Sequence, residues 1–270
     1  NNLTPLSPAG VAKNWTVTAV GDQTFTIKGQ TYAGGGSSFA APLVTGTAAL
    51  LKEKYPWMDG SLIRQTILST ATDIGEKGVD EVYGWGLLNI DKALKGPALF
   101  DKRLALGDTV NINIPNGSYT FSNNISGDAG VVKDGNGDLI LSGHSTFTGP
   151  TTVNAGRLQV NGVYSSSISV RRQATLSTNN AVIKNDITNN GTLENSGSTQ
   201  ISGNYQALEN SRVVSDLNSN IHVKGKVNLN NSRLEIKPEE NGERKYITAN
   251  GTTQNVITSD NKIDGNFNDV

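Results

Sequence analysis

Gly137-Asp138-Leu139-Ile140-Leu141, Gly156-Arg157-Leu158-Gln159-Val160, Gln173-Ala174-Thr175-Leu176 and Gly191-Thr192-Leu193 are four short apolar alternations set among turn residues. Their leucines, at 139, 158, 176 and 193, are separated by 19, 18 and 17 residues. A strand residue advances the chain by about 3.3 Å, so such a period holds two or three strands of roughly 4 residues plus turns. A near-constant period with Asn and Gly at the turns predicts stacked coils, one period per coil, as in a right-handed parallel β-helix. The competing arrangement is a β-sandwich, whose strands recur every 8–12 residues or so and pair antiparallel.

Working outward, this pattern occupies only part of the chain. Asn occurs four times in residues 1–97 and 27 times in residues 98–270. Helix signals stop at the same boundary. Ala41 to Lys54 is rich in helix formers, with apolar residues at 43, 44, 47, 48, 50 and 51. Proline is tolerated in a first turn, so this helix is expected to begin just before Pro42 and to end at Pro56. A second helix is expected from Gly60 to Thr72, capped by Asp59 or Ser61. A third, short one is expected from Asn89 to Leu94, closed by Gly96 and Pro97. Trp15, Val17 and Ala19, then Phe25 and Ile27, alternate as two strands around Gly21-Asp22. The fold class expected is therefore α/β for residues 1–97, followed by an all-β parallel β-helix for residues 98–270.

Composition excludes several functions. Lys and Arg number 23 against 24 Asp and Glu, a net charge of −1, so there is no electrostatic footprint for nucleic acid. The absence of cysteine removes disulfides, thiolate metal sites and cysteine nucleophiles. Apolar residues make up 35% and glycine contributes 30 residues, which points to a thin core with many turns. The first residues, Asn-Asn-Leu-Thr-Pro, carry neither an initiating Met nor an apolar leader, so the sequence reads as a piece of something longer.

The chemistry concentrates in Gly36-Ser37-Ser38-Phe39-Ala40-Ala41-Pro42-Leu43-Val44-Thr45-Gly46. Small residues and a following helix suit a serine nucleophile: they permit a tight strand-to-helix turn, and the helix N-terminus favours developing negative charge. The same pattern equally suits a serine acting only as a helix cap. The segment resembles the active-serine signature of the subtilisin-like (subtilase) serine proteases, with Gly36, Ser38, Pro42, Val44 and Gly46 matching and Ser37 in place of the usual Thr. Tyr83-Gly84-Trp85-Gly86-Leu87-Leu88-Asn89 with Ala93 resembles the segment that closes subtilase domains. Ala19-Val20-Gly21 stands where the family commonly has Ala-Pro-Gly. Together these cover about residues 14–97.

Residues 126–162 have a resemblance of their own. Gly127-Asp128-Ala129-Gly130-Val131-Val132-Lys133, Gly137 to Gly143, and Ser145 to Val160 are similar to the passenger-associated repeat of Gram-negative autotransporters. The combination is that of a subtilisin-like autotransporter protease. The resemblance implies a protease domain joined by a β-helical stem to an outer-membrane barrel, on a protein that is secreted or held at the cell surface. The alternating lipid-facing strands and aromatic girdles of a barrel are missing from this sequence.

By the same resemblance Ser38 is the nucleophile that forms an acyl-enzyme with a protein substrate, and its backbone N–H is one oxyanion donor. The Asp and His of the triad, and an oxyanion Asn, belong upstream of the serine in this family. Only 37 residues precede Ser38 and none is a His. Alone, the chain is therefore expected to be inert, since an unassisted hydroxyl is a poor nucleophile. The missing N-terminal half of the protease domain is an implied partner, and its loss is expected to expose Val44, Leu50, Leu51 and Ile63. No cofactor is implied. Structural calcium is left open, because much of the domain lies elsewhere.

Other signals carry less. Asp134-Gly135-Asn136-Gly137-Asp138 opens like a calcium loop, but Leu139 and Ser145 stand where Gly and Glu are required, so a β-turn is expected. Arg171-Arg172 reads as an exposed turn, Asp80-Glu81 as a solvated face, and His144 and His222 as solvated turn or strand residues. Asn-x-Ser/Thr matches beginning at Asn14, Asn116, Asn124, Asn190 and Asn250 are incidental in a bacterial protein. The alternative to a protease segment is a non-enzymatic β-helix scaffold or adhesin stem. A polysaccharide-cleaving β-helix lacks a carboxylate pair at suitable spacing.

Overall fold

The computed structural model describes residues 4–240, 243–244 and 253–268; the Asn-x-Thr match at Asn250 lies outside them. The chain forms two compact units. One runs as far as Leu99 and takes in Arg103–Leu106; the other comprises Phe100–Lys102 and the chain from Gly107 onward.

The first unit mixes a hairpin with helices. Strands β1 (Gln23–Ile27) and β2 (Gln30–Gly34) pair antiparallel, with Phe25 opposite Tyr32. The turn therefore lies at Lys28-Gly29, not at Gly21-Asp22. Both turn residues have positive φ, 50° and 79°, the backbone of a type I′ turn, whose twist matches that of the strands. Trp15, read as strand, instead ends a 3-10 helix, Gly10–Trp15. Helix α1 (Ser37–Lys54) starts five residues before Pro42, earlier than expected, so the proline lies inside it. The cost is local: Pro42 lacks the N–H that would bond the Ser38 carbonyl. Helix α2 (Gly60–Ser69) is capped by Asp59, which accepts from the Leu62 N–H at 2.8 Å. Helix α3 (Ile90–Ala93) is capped by Asn89, which accepts from Lys92 at 2.9 Å.

Inside this unit Leu51, Tyr55, Met58, Leu62, Ile67, Leu68 and Ala93 are buried. Leu51 was expected to be exposed; it is fully covered because it shares the inner face of α1 with Thr47. Leu50, one position earlier, points outward at 42% exposure. Val44 and Ile63 are half-buried. Asp80 departs from the sequence reading as well. It is buried, and its Oδ1 accepts from the Val82 and Tyr83 N–H groups at 2.7 and 2.8 Å, so it builds a turn and is no solvated face.

The second unit is a parallel β-solenoid, and its ladders account for the leucine period. Tyr119, Leu139, Leu158, Leu176, Leu193, Val213 and Leu234 stand in register on one face, each paired with the next. A second ladder stacks Val110, Val131, Thr151, Ile168, Ile187, Tyr205, Val227 and Ile263. A third runs through Tyr164, Ile183, Ile201, Val223 and Ser259, extended backwards by bridges through Ser145 to Ile125. Each coil thus supplies three strands. All these pairings are parallel, which excludes the sandwich.

Strand alternation sends one side of each strand into the solenoid. Leu139, Leu158, Leu176 and Leu193 are all 0% exposed. Fully burying one such side chain contributes about 1.5–3 kcal/mol. The outward positions carry polar ladders: Thr152, Ser169, Thr188, Gln206, Asn228 and Asp264 are in register. Phe147 packs edge-on to Phe100 and Tyr164, with ring centroids 5.1 and 5.4 Å apart. The Tyr164 hydroxyl finds Thr151 Oγ1 at 2.7 Å, and burial pushes its pKa up. The Asp134–Asp138 stretch is a turn between the strands Gly130–Asp134 and Asp138–Leu141, and Arg171-Arg172 is an exposed turn, both as expected.

Candidate active-site segment

Ser38 is the second residue of α1 and is exposed. It falls among the first helical N–H groups, which have no carbonyl partner within their own helix. Gly36 precedes the helix with φ 137°, a left-handed value that a side chain disfavours. Its carbonyl accepts from Phe39 and Ala40 at 3.0 and 3.4 Å, closing the first turn. A Cβ on Gly36 would lie 3.6 Å from Ser38 Oγ.

The strand leading to the serine is held from both faces. A Cβ on Gly34 would meet the Phe39 ring at 2.6 Å, and one on Gly35 would meet an Asp22 carboxylate oxygen at 2.7 Å. Phe39 in turn stacks on Phe25, and Phe25 on Tyr32, with centroids 6.0 and 5.9 Å apart. The Gly36 N–H donates to the Gly21 carbonyl at 3.2 Å, which ties the Ala19-Val20-Gly21 loop to the turn before Ser38. Thus two of the three segments singled out in the sequence meet at Ser38.

The third segment secures the approach to that loop. Trp85 N–H donates to Thr16 O, Thr18 N–H to Gly86 O, and Leu88 N–H to Thr18 O, at 2.9, 2.8 and 2.7 Å. Thr72 and Leu87 exchange two bonds at 2.8 Å. Space explains the two glycines of Tyr83-Gly84-Trp85-Gly86: a Cβ at Gly84 would lie 2.3 Å from the Thr16 carbonyl oxygen, and one at Gly86 2.2 Å from that of Thr72. Gly86 also has φ 107°. Gly86→Ala is expected to destabilise the first unit by about 2–4 kcal/mol, from overpacking added to a strained backbone. Chemical unfolding followed by tryptophan fluorescence measures it.

Neither histidine lies in the first unit. The His144 Nδ1 accepts from the Val163 N–H at 3.3 Å. His222 has Thr258 Oγ1 at 3.1 Å from Nδ1 and Asp260 Oδ1 at 3.3 Å from Nε2, linking neighbouring coils of the solenoid. Among the described residues no group of three or more His, Asp or Glu side chains is placed to hold a metal ion. No described helix is long and apolar enough to cross a membrane. Sequence reasoning missed Asp22 and Phe39; the glycine run Gly34-Gly35-Gly36 was the available signal, since glycines in a strand mark close neighbours.

Two stretches of the chain match known families. Residues 1–86 match the Subtilase family, and residues 131–160 match the Passenger-associated-transport-repeat. The chain is a subtilase-like autotransporter passenger segment. It is 40% identical over 194 residues to the Neisserial autotransporter lipoprotein NalP of Neisseria meningitidis serogroup B, an alignment that covers 72% of this chain and 16% of that protein. It is 32% identical over 235 residues to Serotype-specific antigen 1 of Mannheimia haemolytica, covering 84% of this chain and 23% of the relative. An Extracellular serine protease of Serratia marcescens is 34% identical over 173 residues, with 53% and 17% covered. The chain thus spans less than a quarter of the length of these relatives.

Proposed function

We propose that this chain belongs to an exported serine endopeptidase, with Ser38 as its nucleophile, residues 1–97 as the C-terminal segment of the protease domain and residues 98–270 as the passenger stem. The observation that carries the reading is the position of Ser38: exposed, second in α1, and preceded by a glycine turn bonded to Gly21. Attack by Ser38 Oγ on a peptide carbonyl forms an acyl-enzyme and expels the amine; water then releases the acid and regenerates the serine. The Ser38 backbone N–H, at a helix N-terminus, stabilises the oxyanion. The Asp and His that activate the serine, and the oxyanion Asn, are supplied by chain preceding Asn1 in the parent. An outer-membrane barrel anchors export, and the protease works at the surface of a Gram-negative cell or beyond it.

This reading makes the isolated chain inactive. Residues 1–270 are expected to leave unfolded casein intact, whereas the secreted parent passenger cleaves it; hydrolysis by the isolated chain overturns the proposed division of the triad. Limited proteolysis tests the packing. The exposed Leu6, Val11, Val20, Ile27 and Leu50 fit a unit that packs against further chain, so residues 1–97 should be nicked early in isolation. Sharp protection of that region counts against the proposed packing.

A second reading draws on the larger unit. The polar ladder from Thr152 to Asp264 is regular and outward-facing, which suits a scaffold or adhesive stem. It becomes the leading one if the parent lacks the Asp and the His.

A further inference from the structure

The solenoid holds a buried lysine that the protease reading does not use. Lys133 occupies an inward position: its register partners are Ile112 in the preceding coil and Val153 in the following one, both 0% exposed. Lys133 itself is 0% exposed. An ammonium in such a place is tolerated only when its donors are satisfied. All three are. Nζ donates to the carbonyls of Asp134 at 2.9 Å, Gly135 at 3.0 Å and Ala155 at 3.1 Å. Two of these carbonyls belong to the turn of its own coil, and the third to the corresponding turn one coil later.

We propose that these three carbonyls form a binding site for a small primary ammonium ion, spanning two coils, which the chain fills with the Lys133 side chain. Three donors on a compact cation match three carbonyl acceptors, a pairing that the planar guanidinium of arginine does not offer. The cage is also tight. A Cβ on Gly156 would lie 2.4 and 2.5 Å from the Gly135 and Gly137 carbonyl oxygens, so the next coil closes directly over the turn. Burial pushes the lysine pKa down to about 8, and the carboxylates of Asp138 and Asp134 act against that shift, so the cation persists at neutral pH. Because Ala155 completes the cage, the contact exists only once the following coil has docked. Lys133 is thus a pin between successive coils of the repeat.

Side-chain truncation with chemical rescue tests the site on the full chain. Lys133→Ala removes a propylammonium equivalent from the cage and takes the ammonium donor from three carbonyls, of which that of Asp134 keeps the Ile114 N–H at 3.0 Å. The variant is expected to unfold at a lower temperature. n-Propylammonium chloride at about 100 mM should raise its midpoint by about 2–4 °C, the shift of a roughly fivefold change in the folding equilibrium for a domain of this size. Propan-1-ol and tetramethylammonium, lacking the triple donor, should not, and the wild type should not respond to propylammonium. If the variant does not fold alone, recovery of its β-sheet circular dichroism in propylammonium, but not in tetramethylammonium, is the readout. Equal effects of the three additives, or an equal response of the wild type, overturn the proposal.

Discussion

Ser38→Ala in the secreted parent passenger is expected to lower kcat for peptide hydrolysis by a factor on the order of a million, the loss that removing the triad serine produces in a subtilisin. The substitution deletes one oxygen from an exposed position on the second residue of α1, where no packing depends on it. Folding should therefore be unaffected, and thermal unfolding of the two proteins should coincide. The backbone N–H at position 38 is retained, so oxyanion stabilisation survives in part. Residual hydrolysis above the uncatalysed rate by about 10³–10⁴-fold is the expected remainder. A loss below tenfold would place the chemistry elsewhere.

The second large effect lies in the solenoid. Leu158→Ala is expected to destabilise it by about 2–5 kcal/mol. Leu158 is fully buried and stands in register between Leu139 and Leu176, so truncation opens a cavity against both neighbouring coils. In a stacked array the stability of one coil depends on its contacts with the next, and a defect in a central coil weakens two interfaces. Ile263, at the far end of its ladder and 41% exposed, provides the contrast. Ile263→Ala should change stability by about 0.5 kcal/mol or less. Urea unfolding followed by far-ultraviolet circular dichroism separates the two.

The solenoid was legible in the sequence because its period is a physical repeat. Every coil must return a leucine-sized side chain to the same inward position, and residues 139, 158, 176 and 193 do so in register. Helix α2 was legible from its cap, Asp59, and helix α3 from the Gly96-Pro97 stop that follows it. The hairpin was misplaced because alternation marks strands without saying where the chain reverses, and Lys28-Gly29 is a weaker turn signal than Gly21-Asp22. The start of α1 was misplaced because a proline in the second turn costs one hydrogen bond, which the rest of an 18-residue helix tolerates. Asp80 and Lys133 were hidden for a shared reason: local composition marks a charge as exposed, while inside the fold the turn N–H groups of Val82 and Tyr83 bond Asp80 Oδ1 and three backbone carbonyls accept from Lys133.

At the candidate site, the serine and its glycines were readable from a short motif whose purpose is steric. The contact between Gly21 and Gly36 was not, since 14 residues and a hairpin intervene between them.

Treatment of the secreted parent passenger with a fluorophosphonate probe, as wild type and as Ser38→Ala, followed by peptide mapping in a mass spectrometer, tests the central claim most directly. Such a probe reacts with serines activated by an adjacent base. Label on Ser38 in the wild type, and its absence from the variant, is the result predicted. A correctly folded wild type that takes no label at Ser38 would contradict the protease assignment and leave the β-solenoid as the functional part.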